Sequence, residues 1–331
     1  MKQLSDRVIA RLQADMQQPE LKGTRYHVLG YLARGGMGSV WLAEDTVLER
    51  RVALKVLDLA EPADDLEVRL LQEARILAGL EHPGIVPVHD AGTLADGRAF
   101  YCMKYVEGQT LAQHIANQSL PDKLRLVERI AEPLAFAHAR GFIHRDLKPD
   151  NVMIGAFGEV LVMDWGLAKA GAVNRKPAES AIAAVEAFPQ NSWRVTGQGS
   201  VLGTPGYMSP EQARGQLRVD HRSDIFSLGA ILWFLLTGSA PGEPPAASGL
   251  LPRPLRAICE KAMAPDPDAR YQSAGEMTAD IAHYRNDEPV SAYAEGWLER
   301  AGRLLARHRT AVVLVTAYLL MRVLFILLAR R

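Results

Sequence analysis

The sequence predicts an α+β chain of two lobes, a small β-rich one followed by a larger α-rich one, with an apolar helix near its C-terminal end. Three observations carry this. Between residues 26 and 105, short apolar or alternating runs are separated by glycine-rich or charged turns, the pattern of antiparallel strands. After Gly108 the apolar residues recur at helical spacing instead. Near the end, Thr310–Ala329 is a largely apolar run of 20 residues.

In chain order, residues 1–25 are polar, with helical spacing in Leu4, Val8, Ile9 and Leu12, and read as an amphipathic N-terminal extension. Charges run through Met1 to Glu20 without an apolar core, so this is no secretory signal. Tyr26–Leu32, Val40–Glu44 and Val52–Leu57 read as strands of a meander. Leu66–Leu80 places Leu66, Leu70, Ile76, Leu77 and Leu80 at helical spacing, and His82-Pro83-Gly84 ends that helix. Ile85–His89 and Ala99–Tyr105 read as two further strands. These close a first lobe, 26–107. The second lobe, 108–285, takes its helices from Leu111–Asn117, Lys123–Ala139, Asp220–Leu236, Leu255–Ala264 and Ala274–Tyr284. The boundary implies a cleft, where ligand sites concentrate. The stretch 170–202 reads as a long irregular loop.

Composition excludes little. The 331 residues are 48% hydrophobic and 23% charged, with a formal net charge of zero, so no global field argues for nucleic acid. Two cysteines, Cys102 and Cys259, fit a reducing compartment and argue against a cysteine zinc site.

Residues 286–309 form a basic linker before the segment 310–329, which is expected to span a membrane once. Twelve of those 20 residues are Val, Leu, Ile or Phe. They contribute roughly −4 to −7 kcal/mol towards insertion, against about 3 kcal/mol for Arg322 at mid-helix. Arg300, Arg303, Arg307, His308 and Arg309 precede the segment and only Arg330 and Arg331 follow it, which places the N-terminal bulk in the cytoplasm.

The chemistry concentrates in His144-Arg145-Asp146-Leu147-Lys148-Pro149-Asp150-Asn151, followed thirteen residues later by Asp164-Trp165-Gly166. These segments supply a carboxylate base, a cation and two oxygen-donor metal ligands, the set that phosphoryl transfer requires. Upstream, Gly35-Gly36-Met37-Gly38-Ser39-Val40 lies between two expected strands, where glycines let the backbone approach phosphates. Lys55 interrupts an otherwise apolar strand and reads as a point charge for the phosphates. Glu73, eighteen residues on, is an ordinary solvated helix residue unless it pairs with Lys55.

The ordered set Gly35/Gly38/Val40, Lys55, Glu73, His144–Asn151, Asp164-Trp165-Gly166, Ser209-Pro210-Glu211, Asp224 and Arg270 resembles the protein kinase superfamily over about residues 26–285. It looks most like bacterial eukaryotic-like Ser/Thr kinases, including the run Gly203–Gln212. The resemblance implies the bilobal protein kinase fold, with ATP in the cleft, Mg2+ as its metal (Mn2+ as a substitute) and proteins bearing Ser or Thr as substrates. It implies Asp146 as base, Lys148 on the γ-phosphate, and Asn151 and Asp164 as metal ligands. The nucleotide pocket it implies comprises Leu32, Ala33, Gly35, Gly36, Gly38, Val40, Ala53, Lys55, Met103, Lys104, Val106 and Met153, with Met103 as gatekeeper. Glu211 and Arg270 would form a buried ion pair, and Asp224 would brace the catalytic loop. Lys148, two residues after the base, is the Ser/Thr-type arrangement.

In relatives with an arginine at the position of Arg145, a phosphorylated activation loop often pairs with it. Thr196 is the leading phosphorylation site expected here, followed by Ser200 and Ser192, with dimerisation as a route to autophosphorylation. Thr204 is expected near the substrate hydroxyl. Three departures stand out: Ala33 replaces the first loop glycine, Trp165 replaces the usual phenylalanine, and 239–254 is short and proline-rich. The activity implied is that of a non-specific serine/threonine protein kinase signalling at a membrane. The alternative is a pseudokinase scaffold that binds nucleotide and partners, whose usual mark is loss of Lys55, Asp146 or Asp164. A small-molecule phosphotransferase is a third reading, against which Ser209-Pro210-Glu211 and Arg270 speak.

Overall fold

The computed structural model describes residues 18–35, 38–58, 63–114, 118–165, 169–170, 206–216, 219–244, 251–297, 299–300 and 309–329. The first lobe is an antiparallel sheet built from β1 (Tyr26–Gly35), β2 (Gly38–Asp45), β3 (Arg50–Leu57), β4 (Val88–Thr93) and β5 (Ala99–Lys104), in the order β1-β2-β3-β5-β4, with helix α1 (Ala63–Gly79) beside it. Strand alternation sorts its side chains. Val52, Leu54 and Val56 of β3 and Phe100 and Cys102 of β5 pack outward with Leu21, Tyr26 and Trp41. Leu57, Ala99 and Tyr101 instead face α1 and join Leu70, Ala74 and Leu77. Lys55 shares the parity of Leu57 and therefore the inner face.

The second lobe opens with β6 (Gly108–Thr110) and α2 (Leu111–His114), then α3 (Leu120–Ala139), β7 (Phe142–Ile143), β8 (Val152–Gly155), β9 (Val160–Val162) and β10 (Lys169–Ala170). Helices α4 (Pro210–Ala213), α5 (Arg222–Thr237), α6 (Arg253–Ala262) and α7 (Ala274–Arg285) complete it. Strands β6, β8 and β9 form a second small sheet. Ser119 caps α3 by accepting from the Asp122 amide, and Gly238 ends α5 in the left-handed conformation at φ 77°. Helices α5 and α6 approach so closely that a Cβ on Gly229 would lie 2.6 Å from the Ala262 Cβ. The main core runs from α1 and β5 through α3 to α5, α6 and α7, so the lobes share one apolar body.

Several expected boundaries shift. The segment Ile85–His89 is not one strand. Pro87 has no amide hydrogen, Ile85 makes an isolated parallel bridge to Val162, and the sheet resumes only at Val88. The N-terminal extension does not end at 25: Leu21 is buried in the outer cluster and the Gln18 carbonyl accepts from Arg98. Its expected amphipathic part lies outside the described residues. At the other end the lobe continues past 285. Asp280 accepts the amides of Ser291 (2.7 Å) and Ala292 (3.1 Å), and Val290 is buried.

The expected apolar C-terminal segment forms helix α8 (Arg309–Ala329), with exposed side chains at 313–322 and 325. Among the described residues no helix is long and apolar enough to cross a membrane. The described side chains of α8 are apolar or uncharged from Val313 to Met321, about 13 Å of helix, before Arg322 interrupts them.

Candidate active site

The inner face of the first lobe gathers the phosphate-side groups. Strands β1 and β2 pair Gly35 with Gly38, and a Cβ on Gly38 would lie 2.1 Å from the Val56 carbonyl oxygen, so only glycine fits that close approach. Gly36 lies outside the described residues. Asp58, just past β3, brackets this turn: it accepts from the Ser39 hydroxyl at 2.7 Å and pairs with Arg34 at 2.8 Å.

Lys55 and Glu73 do meet. The ammonium is 2.9 Å from both Glu73 carboxylate oxygens and 2.6 Å from Asp164 Oδ1. Glu73 is thus no solvated helix residue, being 1% exposed. Tyr101, directly opposite Lys55 in the β3–β5 register, donates its hydroxyl to Glu73 Oε1 at 2.9 Å. Burial opposes the charge on Lys55, but the Asp164 and Glu73 carboxylates hold its pKa well above the ordinary lysine value. Burial pushes the Glu73 carboxyl up, with the Lys55 charge pulling against it. Asp164 is the opposite case: burial acts against its charge, yet Lys55 wins and its pKa stays below the usual carboxylate range.

In the second lobe, Asp146, Lys148 and Asn151 come together. Lys148 Nζ lies 2.8 Å from Asp146 Oδ2. Asn151 donates its amide to the Asp146 carbonyl and to Asp146 Oδ2. Two oxygens face that nitrogen, which fixes the amide orientation and leaves its Oδ1 as the acceptor end. Asp164 has φ 61° and a side chain 42% exposed to the cleft. An amide oxygen and a carboxylate are oxygen donors that suit Mg2+, which keeps part of its shell for water and phosphate. Among the described residues no cluster of three or more His, Cys, Asp or Glu competes as a metal site.

The catalytic loop is held from below. Asp224, fully buried on α5, accepts the amides of His144 and Arg145 at 2.8 Å each and faces His138 Nε2 at 2.7 Å. These bonds over-determine Arg145, whose φ of 69° is left-handed. His144 contacts the Met163 carbonyl through Nε2 at 2.9 Å and accepts the Asp146 amide at Nδ1. That assigns Nε2 as its protonated nitrogen and ties the loop to the residue before Asp164. The His144 ring lies 4.7 Å from Trp165, which is fully buried, so this aromatic departure still packs. Gln212 donates to the Arg145 carbonyl at 2.7 Å, joining α4 to the same loop. Glu211 and Arg270 form the expected pair.

The apolar pocket positions divide. Ala53 and Met103 are cross-strand partners, and Val106 packs with Met103 and Met153. Val40 is half-buried opposite Ala33, while Leu32, Ala33 and Lys104 are exposed. The Lys104 amide is taken by the Pro87 carbonyl. Thr196, Ser200, Ser192 and Thr204 lie outside the described residues. Sequence reasoning missed Tyr101, Asp58 and His138. Tyr101 read as one more aromatic in a strand, and only the register shows what it touches.

A lysine held by two carboxylates, beside a second cluster of a carboxylate, a lysine and an asparagine, supplies the groups that phosphoryl transfer to a hydroxyl requires. The family described as Protein kinase domain matches residues 26–277, and the chain belongs to that family. Its relatives are serine/threonine kinases. PknD of Protochlamydia amoebophila is 36% identical over 299 residues, 78% of this chain and 30% of the relative. PknB of Mycobacterium tuberculosis is 38% identical over 303 residues, 84% of this chain and 45% of the relative. The chain therefore spans less than half the length of these curated relatives. Among solved structures, the M. tuberculosis PknI kinase domain is similar with a TM-score of 0.56 and 27% identity, covering 79% of this chain and 96% of that one.

Proposed function

We propose that this chain is an ATP- and Mg2+-dependent serine/threonine protein kinase that signals from the cytoplasmic face of a membrane and phosphorylates its own activation loop. The observation that carries the reading is that the Lys148–Asp146–Asn151 cluster and the Lys55–Glu73–Asp164 cluster adjoin, the Asn151 carbonyl accepting the amide of Met163, the residue before Asp164, at 2.9 Å. Asp146 accepts the proton of the attacking Ser or Thr hydroxyl. Lys148, 2.8 Å from it, orients that carboxylate and stands ready for the γ-phosphate. Lys55, kept charged by its neighbours, meets the α- and β-phosphates. Asn151 and Asp164 would hold Mg2+, which when bound neutralises phosphate charge. Against the scaffold reading stands the presence of Lys55, Asp146 and Asp164, whose loss is its usual mark.

The substrate class rests on Lys148 and on the relatives' names. The membrane part rests on the apolar sequence of 310–329. Dimerisation, with Thr196 and then Ser200 as acceptors, completes the proposal.

Purified protein given radiolabelled ATP and Mg2+ should label itself and a generic protein substrate, and Asp146→Asn should abolish both. Labelling that survives in purified Asp146→Asn protein would refute the assigned base. Phosphopeptide mapping that finds no phosphate between 190 and 204 sinks the autophosphorylation sites. Full-length protein that stays soluble on detergent-free fractionation removes the membrane part.

A further inference from the structure

Tyr101 takes no part in the roles that the kinase resemblance assigns, yet it touches the centre of the phosphate clamp. It leaves the same face of the sheet as Lys55, its direct cross-strand partner. Its ring centroid lies 5.7 Å from the ammonium, its hydroxyl is 2.9 Å from Glu73 Oε1, and its side chain is 1% exposed. We propose that Tyr101 is a positioning residue for phosphoryl transfer, tethering Glu73 to the sheet so that α1 stays where Glu73 can hold Lys55.

The argument starts from how many partners Lys55 must serve. Its ammonium has three hydrogens and already meets Glu73 and Asp164. A nucleotide phosphate adds a further claim on the same three hydrogens, so the Lys55–Glu73 pair gains from a second restraint on Glu73. Among the described residues, the other attachments of α1 to the sheet at this point are apolar, through Leu70, Ala74 and Leu77. Apolar contacts let a helix slide or rotate by small steps; a hydrogen bond to a buried carboxylate does not. The Tyr101 hydroxyl is independent of the nucleotide. Burial raises its pKa well above the ordinary value, so it remains a neutral donor throughout the working range.

This inference rests on the kinase reading, and its test separates the two. Tyr101→Phe removes one oxygen and leaves the ring. In the full chain, with folding checked by circular dichroism, it should raise the KM for ATP about tenfold, equivalent to roughly 1.4 kcal/mol for a bond to a charged group. The loss in kcat should be smaller. Amide exchange across 63–79 should quicken relative to wild type. In a Glu73→Ala background, calorimetric Mg-ATP affinity should change less than about twofold on adding Tyr101→Phe. Unchanged KM and unchanged exchange in folded Tyr101→Phe protein overturn the proposal, as does an undiminished effect in the Glu73→Ala background. Should wild-type protein transfer no phosphate at all, the kinase reading fails, and amide exchange and Mg-ATP affinity still decide the role of Tyr101.

Discussion

Asn151 donates one amide hydrogen to the carbonyl of Asp146 at 2.8 Å and another to its Oδ2 at 3.1 Å, fixing backbone and carboxylate of one residue together. That leaves the Asn151 Oδ1 as the acceptor end of the side chain. Asn151→Ala should therefore show two separable losses. Phosphoryl transfer at saturating Mg2+ should fall by about a hundredfold because the Asp146 carboxylate is free to rotate out of line. The Mg2+ concentration for half-maximal rate should also rise. Rates measured against Mg2+ at fixed ATP resolve the two, and a full rescue by excess Mg2+ would remove the positioning role.

Glu211 and Arg270 are joined by two near-parallel bonds of 2.7 and 2.8 Å, at 6% and 2% exposure. Arg270 also donates to the Ala264, Arg222 and Pro265 carbonyls, so it ties α4, α5 and the end of α6. Arg270→Ala should cost about 3–5 kcal/mol by leaving a buried carboxylate alone. Urea unfolding of the two proteins measures this. A difference below about 1 kcal/mol would mean that water or a neighbour replaces the guanidinium.

The parts of the site legible in the sequence are those where chemistry dictates residue type at short range. Asp146, Lys148 and Asn151 fall within six residues, and Gly38 answers a backbone approach that no side chain permits. Lys55 was legible because a charge broke an apolar strand. Tyr101 and Asp58 were not, since their partners are 28 and 19 residues away and depend on register. Strand β4 was misplaced because Ile85 and Val86 are apolar for another reason: they pack against β9 at the lobe junction, not along the sheet. Strands as short as β9, of three residues, carry too few positions to display alternation.

Asp58 joins the two strands that flank the glycine turn, through Ser39 on β2 and Arg34 on β1. Ser39 is buried, whereas the Arg34 side chain is 49% exposed, so the hydroxyl bond carries more of the restraint. Asp58→Ala should loosen the turn, raising the KM for ATP about three- to tenfold with little change in kcat. Ser39→Ala should reproduce most of this and Arg34→Ala little. Equal effects of the two would show that charge, not the buried bond, holds the turn.

Asp224 links pH to the shape of the catalytic loop. Burial acts to raise its pKa, but the hydrogen bonds from His138 and from the Arg145 amide outweigh it and hold the carboxyl below its ordinary 3.8. A depressed folded value means the unfolded chain takes up this proton first as pH falls. The stabilisation is therefore complete above the unfolded value, near pH 4, and drains away as pH drops through the folded one. Urea unfolding from pH 6 to pH 3 should show wild type losing stability more steeply below about pH 4 than Asp224→Asn. The asparagine protein should start lower at pH 6, because its amide presents hydrogens where the His144 and Arg145 amides already point. Parallel slopes for the two proteins would mean that Asp224 is protonated alike in both states, and that other carboxylates set the acid limit.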